Sequence, residues 1–432
     1  MRVIVTGAYG LIGSACLTRL HAAGHEVIGA GRSIGAARRR FGFARWIEAD
    51  FTRLRDGAAW QPLLKNIDAV VNCVGVLQDS ARDDVERVQL EGAVALFEGC
   101  ARAGVRRVVY VSAIGAEVGG PTAFSRTKAS AEAHLKTLDL DWAILRPALV
   151  LSPAVYGGSA ILRGIAGFPG CVPVIGANAR TQVIGIDDLT ETVARLLAPR
   201  APAKVVWDVA HPQVYALAAV VIAIRNWLGF PSRPMVPLPD AAGRAVAVLA
   251  DAVGWLGWRS PARTTSFAHL TAGVVGEPVA WMEATGIRPR NLDEILTTRP
   301  STVQDRWFAR LYFLKPLALV VLAMAMITSG AAEFASGWTL AEVWPLTPFD
   351  DLAARMLPKL GYGAFAVLLG FGIAFRPTAR LALLALFIVG ALLTAYQATA
   401  VWRTGAAEDT GLTRDVLLVL TSLFTLAVLD ER

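Results

Sequence analysis

Four cysteines in 432 residues, Cys16, Cys73, Cys100 and Cys171, are scattered with no C-x-x-C spacing. That excludes a disulfide framework and a dithiol centre, and they read as reduced, partly buried thiols. The five histidines, His21, His25, His134, His211 and His269, show no metal-ligand spacing, and no metal is expected. Charged residues make up only 18% of the chain. A secretory leader is also expected to be missing, because the chain enters a strand at Arg2. No nucleic-acid motif accompanies the net charge of +7 and pI near 9.5. Nucleic acid is therefore set aside as a partner, and the excess Arg and Lys is assigned to the cytoplasmic flanks of membrane helices. Apolar residues are abundant: 54% of the chain, with a mean hydropathy of +0.48. At 432 residues the chain is too long for one ordinary domain.

The strongest local signal is at the beginning. The apolar run Arg2–Thr6 feeds into Gly7, Gly10 and Gly13, and a helical pattern follows from Leu11 to about Ala23. This strand–turn–helix order fits the pyrophosphate of a dinucleotide. Gly7 permits the turn, Gly10 admits the phosphates and Gly13 lets the helix pack on the sheet. Tyr9, Leu11 and Ile12 complete the cradle. After the second strand, where an acidic residue would bind the ribose 2′-hydroxyl, stands Arg32. A guanidinium there suits a 2′-phosphate, so NADP(H) is preferred and NAD(H) is the alternative. Arg38, Arg39 and Arg40 read as a solvated or lipid-facing set.

To about Val209 the chain alternates strands (Arg2–Thr6, Glu26–Ala30, Arg45–Glu48, Ala69–Asn72, Arg107–Ser112, Trp142–Leu145, Val205–Val209) with helices such as Val85–Ala103 and Thr127–Thr137. This predicts an α/β, doubly wound parallel sheet of Rossmann type. Three domains are expected: 1–212 binding the dinucleotide, 213–304 as substrate lobe and connector, and 305–432 in the membrane. Helical runs at Ala216–Leu228 and Ala241–Trp258 are apolar but interrupted by Arg225, Arg244 and Asp251, which favours core or membrane-surface packing over spanning.

Beyond Asp305, the runs Pro316–Ala332, Tyr362–Phe375, Leu381–Val401 and Val416–Leu429 contain no Asp, Glu, Lys or Arg. They predict a four-helix transmembrane bundle. Tyr396 and Gln397 are its most polar pair and read as helix packing. Arg306, Arg310, Lys315, Arg376 and Arg380 flank one side. Glu333, Glu342, Asp350 and Asp351 flank the other, diluted by Arg355 and Lys359, and the last loop is mixed, with Arg403, Glu408, Asp409 and Arg414. Both termini and the dinucleotide domain are thus expected in the cytoplasm, at the inner membrane. Trp307, Tyr312, Trp338, Trp344 and Trp402 sit near span ends, as interfacial anchors do.

Thr6–Gly13, Glu48–Phe51, Asn72–Gly75, Tyr110–Gly115 and Leu145–Ala148 occur in an order that resembles the extended and atypical short-chain dehydrogenases/reductases. The resemblance is strongest to the atypical branch that includes the NADPH-binding accessory subunit of respiratory complex I. It covers the first half of the chain. The tail resembles the DoxX-like membrane family, and Arg299–Trp307 is similar to the junction in proteins that fuse the two. The resemblance implies that Asp50 and Phe51 hold and flank the adenine. Cys73, Val74 and Gly75 would line the cofactor, Ser112 would match the active-site Ser/Thr, and Pro147 to Val150 would lie beside the nicotinamide. Asp187 and Asp188 would match a structural acidic pair.

The family's acid/base pair is Tyr-x-x-x-Lys, two side chains stacked on one helix face. Here the sequence reads Phe124-Ser125-Arg126-Thr127-Lys128: the lysine is kept and the tyrosine position is phenylalanine. Lys128 is expected to hold the nicotinamide ribose. Ser112 or Ser125 remains as a hydroxyl donor. Two functions follow. One is an NAD(P)-dependent oxidoreductase acting on a lipophilic compound at the membrane. The other is a non-catalytic NADPH-binding sensor or assembly protein that docks a membrane partner. A membrane redox component serving a quinone is a third, and no haem, flavin or metal ligands in the tail support it.

Overall fold

The computed structural model describes residues 1–80, 83–258, 262–336, 349–404 and 412–429. In chain order its strands are β1 (Arg2–Thr6), β2 (Glu26–Gly31), β3 (Arg45–Glu48), β4 (Ala69–Asn72), β5 (Arg107–Val111), β6 (Asp141–Pro147), β7 (Leu149–Leu151), β8 (Val172–Ile175), β9 (Arg180–Thr181), β10 (Val183–Gly185), β11 (Val205–Val209), β12 (Tyr215–Ala216) and β13 (Met235–Leu238). Helices α1 (Leu11–Ala22), α2 (Gly35–Arg40), α3 (Gly57–Leu64), α4 (Gly92–Ala103), α5 (Ala123–Thr137), α6 (Gly158–Ala166) and α7 (Ile186–Leu196) alternate with them. Helices α8 (Leu217–Trp227), α9 (Asp240–Trp255), α10 (Thr264–Ala272), α11 (Val279–Thr285) and α12 (Leu292–Thr297) follow. The last four are α13 (Val303–Ser336), α14 (Phe349–Ala374), α15 (Arg376–Thr404) and α16 (Leu412–Ala427).

The chain divides into two compact units, Met1–Ala252 with Ser260–Ala309, and Val253–Arg259 with Arg310–Arg432. Most of the expected lobe and connector therefore belongs with the dinucleotide unit.

In the first unit, seven parallel strands run in the order β11-β6-β5-β4-β1-β2-β3. The strand order reverses between β1 and β4, the place where doubly wound sheets form their binding crevice beyond the carboxyl ends. Strands buried on both faces need continuous apolar runs. Val3, Ile4, Val5, Ala69, Val70 and Val71 supply them, all fully buried. One face packs on α1 and α7, the other on α3, α4 and α5.

Several boundaries differ from the sequence reading. The Val85–Ala103 pattern contains a π-helical stretch, Arg87–Glu91, before α4. Helix α5 begins four residues earlier than expected, because Thr122 caps it by accepting from the Ser125 amide.

In the second unit all four apolar runs are helical. Two described helices, Val303–Ala335 and Arg376–Arg403, are long and apolar enough to cross a bilayer. Leu381, Leu392 and Phe371 stand exposed, while Ile373, Leu383 and Leu322 are buried. Helix α16 begins before Val416 and takes Asp415 in with it. Asp415 is 2% exposed and accepts from Gln397 Nε2 at 2.9 Å and Arg414 Nε at 3.1 Å. Gln397 packs as expected, whereas Tyr396 is exposed. Glu342, Trp338, Trp344, Glu408 and Asp409 lie outside the described residues.

Candidate functional site

The glycine turn has the geometry its sequence implies. Gly7 has φ +65°, a left-handed conformation that favours glycine, and a Cβ there would lie 2.9 Å from the Cys73 carbonyl oxygen. A Cβ on Gly13 would overlap the Gly7 carbonyl. Gly10 heads α1 with no side-chain cap and no acidic residue in the first turn. The amides of Leu11, Ile12 and Gly13 therefore open a positive helix end. Such an end, with room only for backbone around it, fits a pyrophosphate. Tyr9 lies against Gly31, where its ring fills the place a Cβ would take.

The ends of β1 and β4 are joined across the crevice. Thr6 Oγ1 donates to Asn72 Oδ1 at 2.8 Å, and the Val74 amide donates to the same oxygen at 3.0 Å. Asn72 Nδ2 is buried without a partner among the described residues. Cys73 lies beside Cys16, whose thiol is pushed up by their hydrogen bond and by burial. Gly75 follows, and a Cβ on it would sit 3.8 Å from Lys128 Nζ.

Lys128 is brought to the crevice by α5. Its ammonium donates to Val111 O at 2.8 Å and Val74 O at 3.2 Å, and lies 4.6 Å from the Tyr110 ring centre. Burial lowers its pKa to about 8. Gln89, from the π-helical turn, fastens α5 to the crevice loop. It donates to Phe124 O at 3.0 Å and Thr127 Oγ1 at 2.9 Å, and accepts from the Val76 amide at 3.1 Å. Phe124 stands one turn before Lys128, half-buried, with no proton to exchange.

The substitute hydroxyls are already committed. Ser112 Oγ donates to Glu132 Oε1 at 2.6 Å, and Arg146 clamps both oxygens of Glu132 at 2.9 and 2.5 Å. Ser125 Oγ donates to the Gly115 carbonyl. Tyr110 is fully buried, and burial and then Glu132 push its hydroxyl well above the ordinary range. None of the three presents a proton to solvent in this arrangement.

At the adenine end, Arg32 ion-pairs with Asp83 at 2.6 Å. Burial opposes the Arg32 charge, and Asp83 more than restores it. Asp83 comes from the loop after β4, ten residues beyond Cys73, and no local sequence pattern marks it as a partner of Arg32. Asp50 Oδ1 accepts from the Thr52 amide and hydroxyl at 3.0 and 2.8 Å. The Phe51 ring is buried against Trp60 at 5.2 Å, so it serves the core. Asp187 and Asp188 bind Arg290, each at 3.2 Å.

Past Pro147, a cavity of about 290 Å³ opens beside β7 and β10. Leu151, Pro153, Ile186, Trp227 and Ile295 form its apolar wall, and the charged Arg163, Asp187, Arg290, Arg299 and Asp305 line the rest. Arg163 is paired to Asp305 at 2.7 Å, lies 4.9 Å from the Trp227 ring centre, and has its pKa lowered by burial.

Residues 7–164 match the protein family described as NAD(P)H-binding. The chain is similar to the UDP-glucose 4-epimerase of Mycolicibacterium smegmatis, 31% identical over 183 residues, 35% of this chain and 57% of that protein. It is also similar to sterol demethylase protein B of Methylococcus capsulatus, 28% identical over 190 residues, 39% of this chain and 57% of that protein. It spans only 26% of the uncharacterised mycobacterial proteins that it matches over 255 residues. Among solved structures, the UDP-glucose 4-epimerase of Thermotoga maritima superposes with a TM-score of 0.53 at 16% identity, over 69% of this chain and 98% of that one. The first unit therefore has a Rossmann fold like that of the epimerase, and residues 7–164 within it match the NAD(P)H-binding family.

Proposed function

We propose that this protein is a membrane-attached, NADP(H)-binding oxidoreductase of the atypical short-chain dehydrogenase type, acting on a lipophilic compound. The observation that carries the reading is Lys128, held beside Gly75, together with the uncapped amino-terminal turn of α1 at Gly10. In this reading Gly7 to Gly13 hold the phosphates, Arg32 meets the 2′-phosphate, and Lys128 meets the nicotinamide ribose. The bound dinucleotide supplies or accepts a hydride. The chain's own residues position the two reactants, and the proton comes from water or the substrate. The lipophilic compound would lie on the apolar wall (Leu151, Ile186, Ile224, Trp227 and Ile295) of the cavity past Pro147, with its polar end toward the charged residues there. The name of the Methylococcus relative, a sterol demethylase protein, is in keeping with such a substrate. The two long apolar helices would belong to a four-span, DoxX-like bundle, with the dinucleotide on the cytoplasmic side.

A second reading has a specific observation behind it. Phe124 offers no proton, and Ser112 is committed to Glu132. On that ground the protein would hold NADPH without turning it over and would dock a membrane partner. One experiment separates the two. The full chain in lipid nanodiscs is mixed with NADPH and extracted membrane lipids, and oxidation is followed for the native protein and for Phe124→Tyr. Turnover by the native chain supports the oxidoreductase. Tight binding without turnover in both proteins overturns it. A general acid contributes about 10²–10⁴-fold where it fits the reaction. A gain of that size in Phe124→Tyr alone would show a reductase site disabled at one atom.

A further inference from the structure

We propose that α9 lies in the interfacial layer of the bilayer, its outer face bedded in lipid and its inner face holding the loop beyond Gly75. The proposal rests on the membrane attachment argued above.

An ordinary surface helix turns its polar side outward. Helix α9 does the reverse. Gly243, Ala247 and Gly254 are buried on its inner face, with Asp251 half-buried beside them. A Cβ on Gly243 would come within 2.6 Å of Ile175 and of the Phe267 ring, so the helix is pressed close there. The outer face carries Arg244 and is otherwise apolar. Val246, Val248, Leu249, Val253 and Trp255 are all exposed, Leu249 at 67% and Trp255 at 62%. A contiguous apolar face of this kind marks an interaction surface.

The far end of the helix identifies what covers it. Residues Val253–Arg259 belong to the second unit. The Arg376 amide donates to Leu256 O at 3.0 Å, and Trp258 Nε1 donates to Ala374 O at 2.7 Å. The Arg376 guanidinium lies 5.4 Å from the Trp258 ring centre. This end is thus fastened to the turn between α14 and α15. In the membrane reading that turn is where two apolar helices leave the lipid. Tryptophan and arginine at such a level, with an apolar face one helix long, are the composition of an in-plane interfacial helix.

The inner face connects this surface to the site. Asp251 accepts from Gln78 Nε2 and Thr264 Oγ1, both at 2.7 Å, and from Arg263 Nε at 2.9 Å. Gln78 lies three residues past Gly75.

The test places a fluorescent amino acid at Leu249, or at Leu392 on α15, in the full chain in phosphatidylcholine nanodiscs. Lipids with a nitroxide quencher near the headgroup or deep in the acyl chain are then compared. An interfacial helix sinks about 5–10 Å into the boundary. Emission at Leu249 should be quenched, more by the shallow quencher, and emission at Leu392 more by the deep one. Quenching at Leu392 but not at Leu249 overturns this proposal alone, whether water or a second copy of the chain covers α9. Quenching at neither position overturns the membrane attachment itself.

Discussion

Arg32 and Asp83 form a 2.6 Å ion pair at the end of β2, where a dinucleotide's adenosine ribose would lie. The pair is half-buried, so neither charge is fully screened. A 2′-phosphate reaching Arg32 must compete with the Asp83 carboxylate and is repelled by it. Asp83→Asn should therefore tighten NADPH by about fivefold to tenfold, which is roughly 1–1.4 kcal/mol. NADH should change little. Arg32→Ala should abolish the preference. Calorimetric titration of both cofactors checks this. If Asp83→Asn weakens NADH instead, Asp83 is the acceptor for a ribose hydroxyl, and the NADP(H) preference is wrong.

If Lys128 holds the nicotinamide ribose, its lowered pKa, about 8, should give cofactor binding a pH dependence. The protonated ammonium is the form that attracts a dinucleotide. Affinity should be full below pH 7 and fall as pH rises through 8 and 9, approaching tenfold per unit where the neutral amine dominates. A bound dinucleotide favours the charged amine and raises its pKa, so the fall begins at the free protein's pKa and levels off above the pKa of the complex. Lys128→Met should bind more weakly and lose this slope between pH 7 and 9. Fluorescence titrations across that range decide it. An unchanged slope in the variant would assign the dependence to another group.

The dinucleotide cradle was legible because its parts are contiguous. The apolar run Arg2–Thr6, three glycines and a helix are set by local sterics alone, and the structure differs by one residue at the end of α1. The Phe124–Lys128 spacing was legible for the same reason, since four residues on a helix fix a face. What escaped were pairings across the sequence. Asp83 meets Arg32 over 51 positions, and Glu132 unites Ser112 from β5's end with Arg146 from β6. No period or spacing encodes such meetings, because the fold brings them together. Asp415 was missed for a different reason. An apolar run in sequence begins at Val416, but the helix begins where its hydrogen bonds do, at Leu412.

Glu132 tests whether the Ser112 network is structural. Its side chain is 2% exposed and carries the only carboxylate within ion-pair reach of Arg146 among the described residues. Glu132→Gln would keep the volume and leave the guanidinium without its anion, at a cost of about 3 kcal/mol. Ser112→Ala would remove one neutral donor, at a cost of about 1 kcal/mol. Thermal unfolding of the first unit within the full chain should show a clear drop in midpoint for the first variant and a small one for the second. A larger loss for Ser112→Ala, or equal binding but lost turnover, would move Ser112 from a structural to a chemical role.

The orientation of the second unit is testable from its charges. Arg306, Arg310 and Lys315 precede the hydrophobic part of α13, and Arg376 and Arg380 open α15. With four crossings, both groups lie on one side of the membrane, which the positive-inside rule makes cytoplasmic. The weak point is α16. It has 16 residues, near the lower limit of roughly 17 for a span, and it carries Asp415 near its start. The Gln397–Asp415 bond offsets the cost of burying that carboxylate by giving it a donor from α15. If α16 crosses, a fluorescent protein fused after Arg432 is bright and a periplasmic phosphatase fused there is inactive. A phosphatase inserted in residues 337–348 is active. The opposite result at Arg432, with the insertion still active, would mean that α16 lies along the membrane and that only three helices cross.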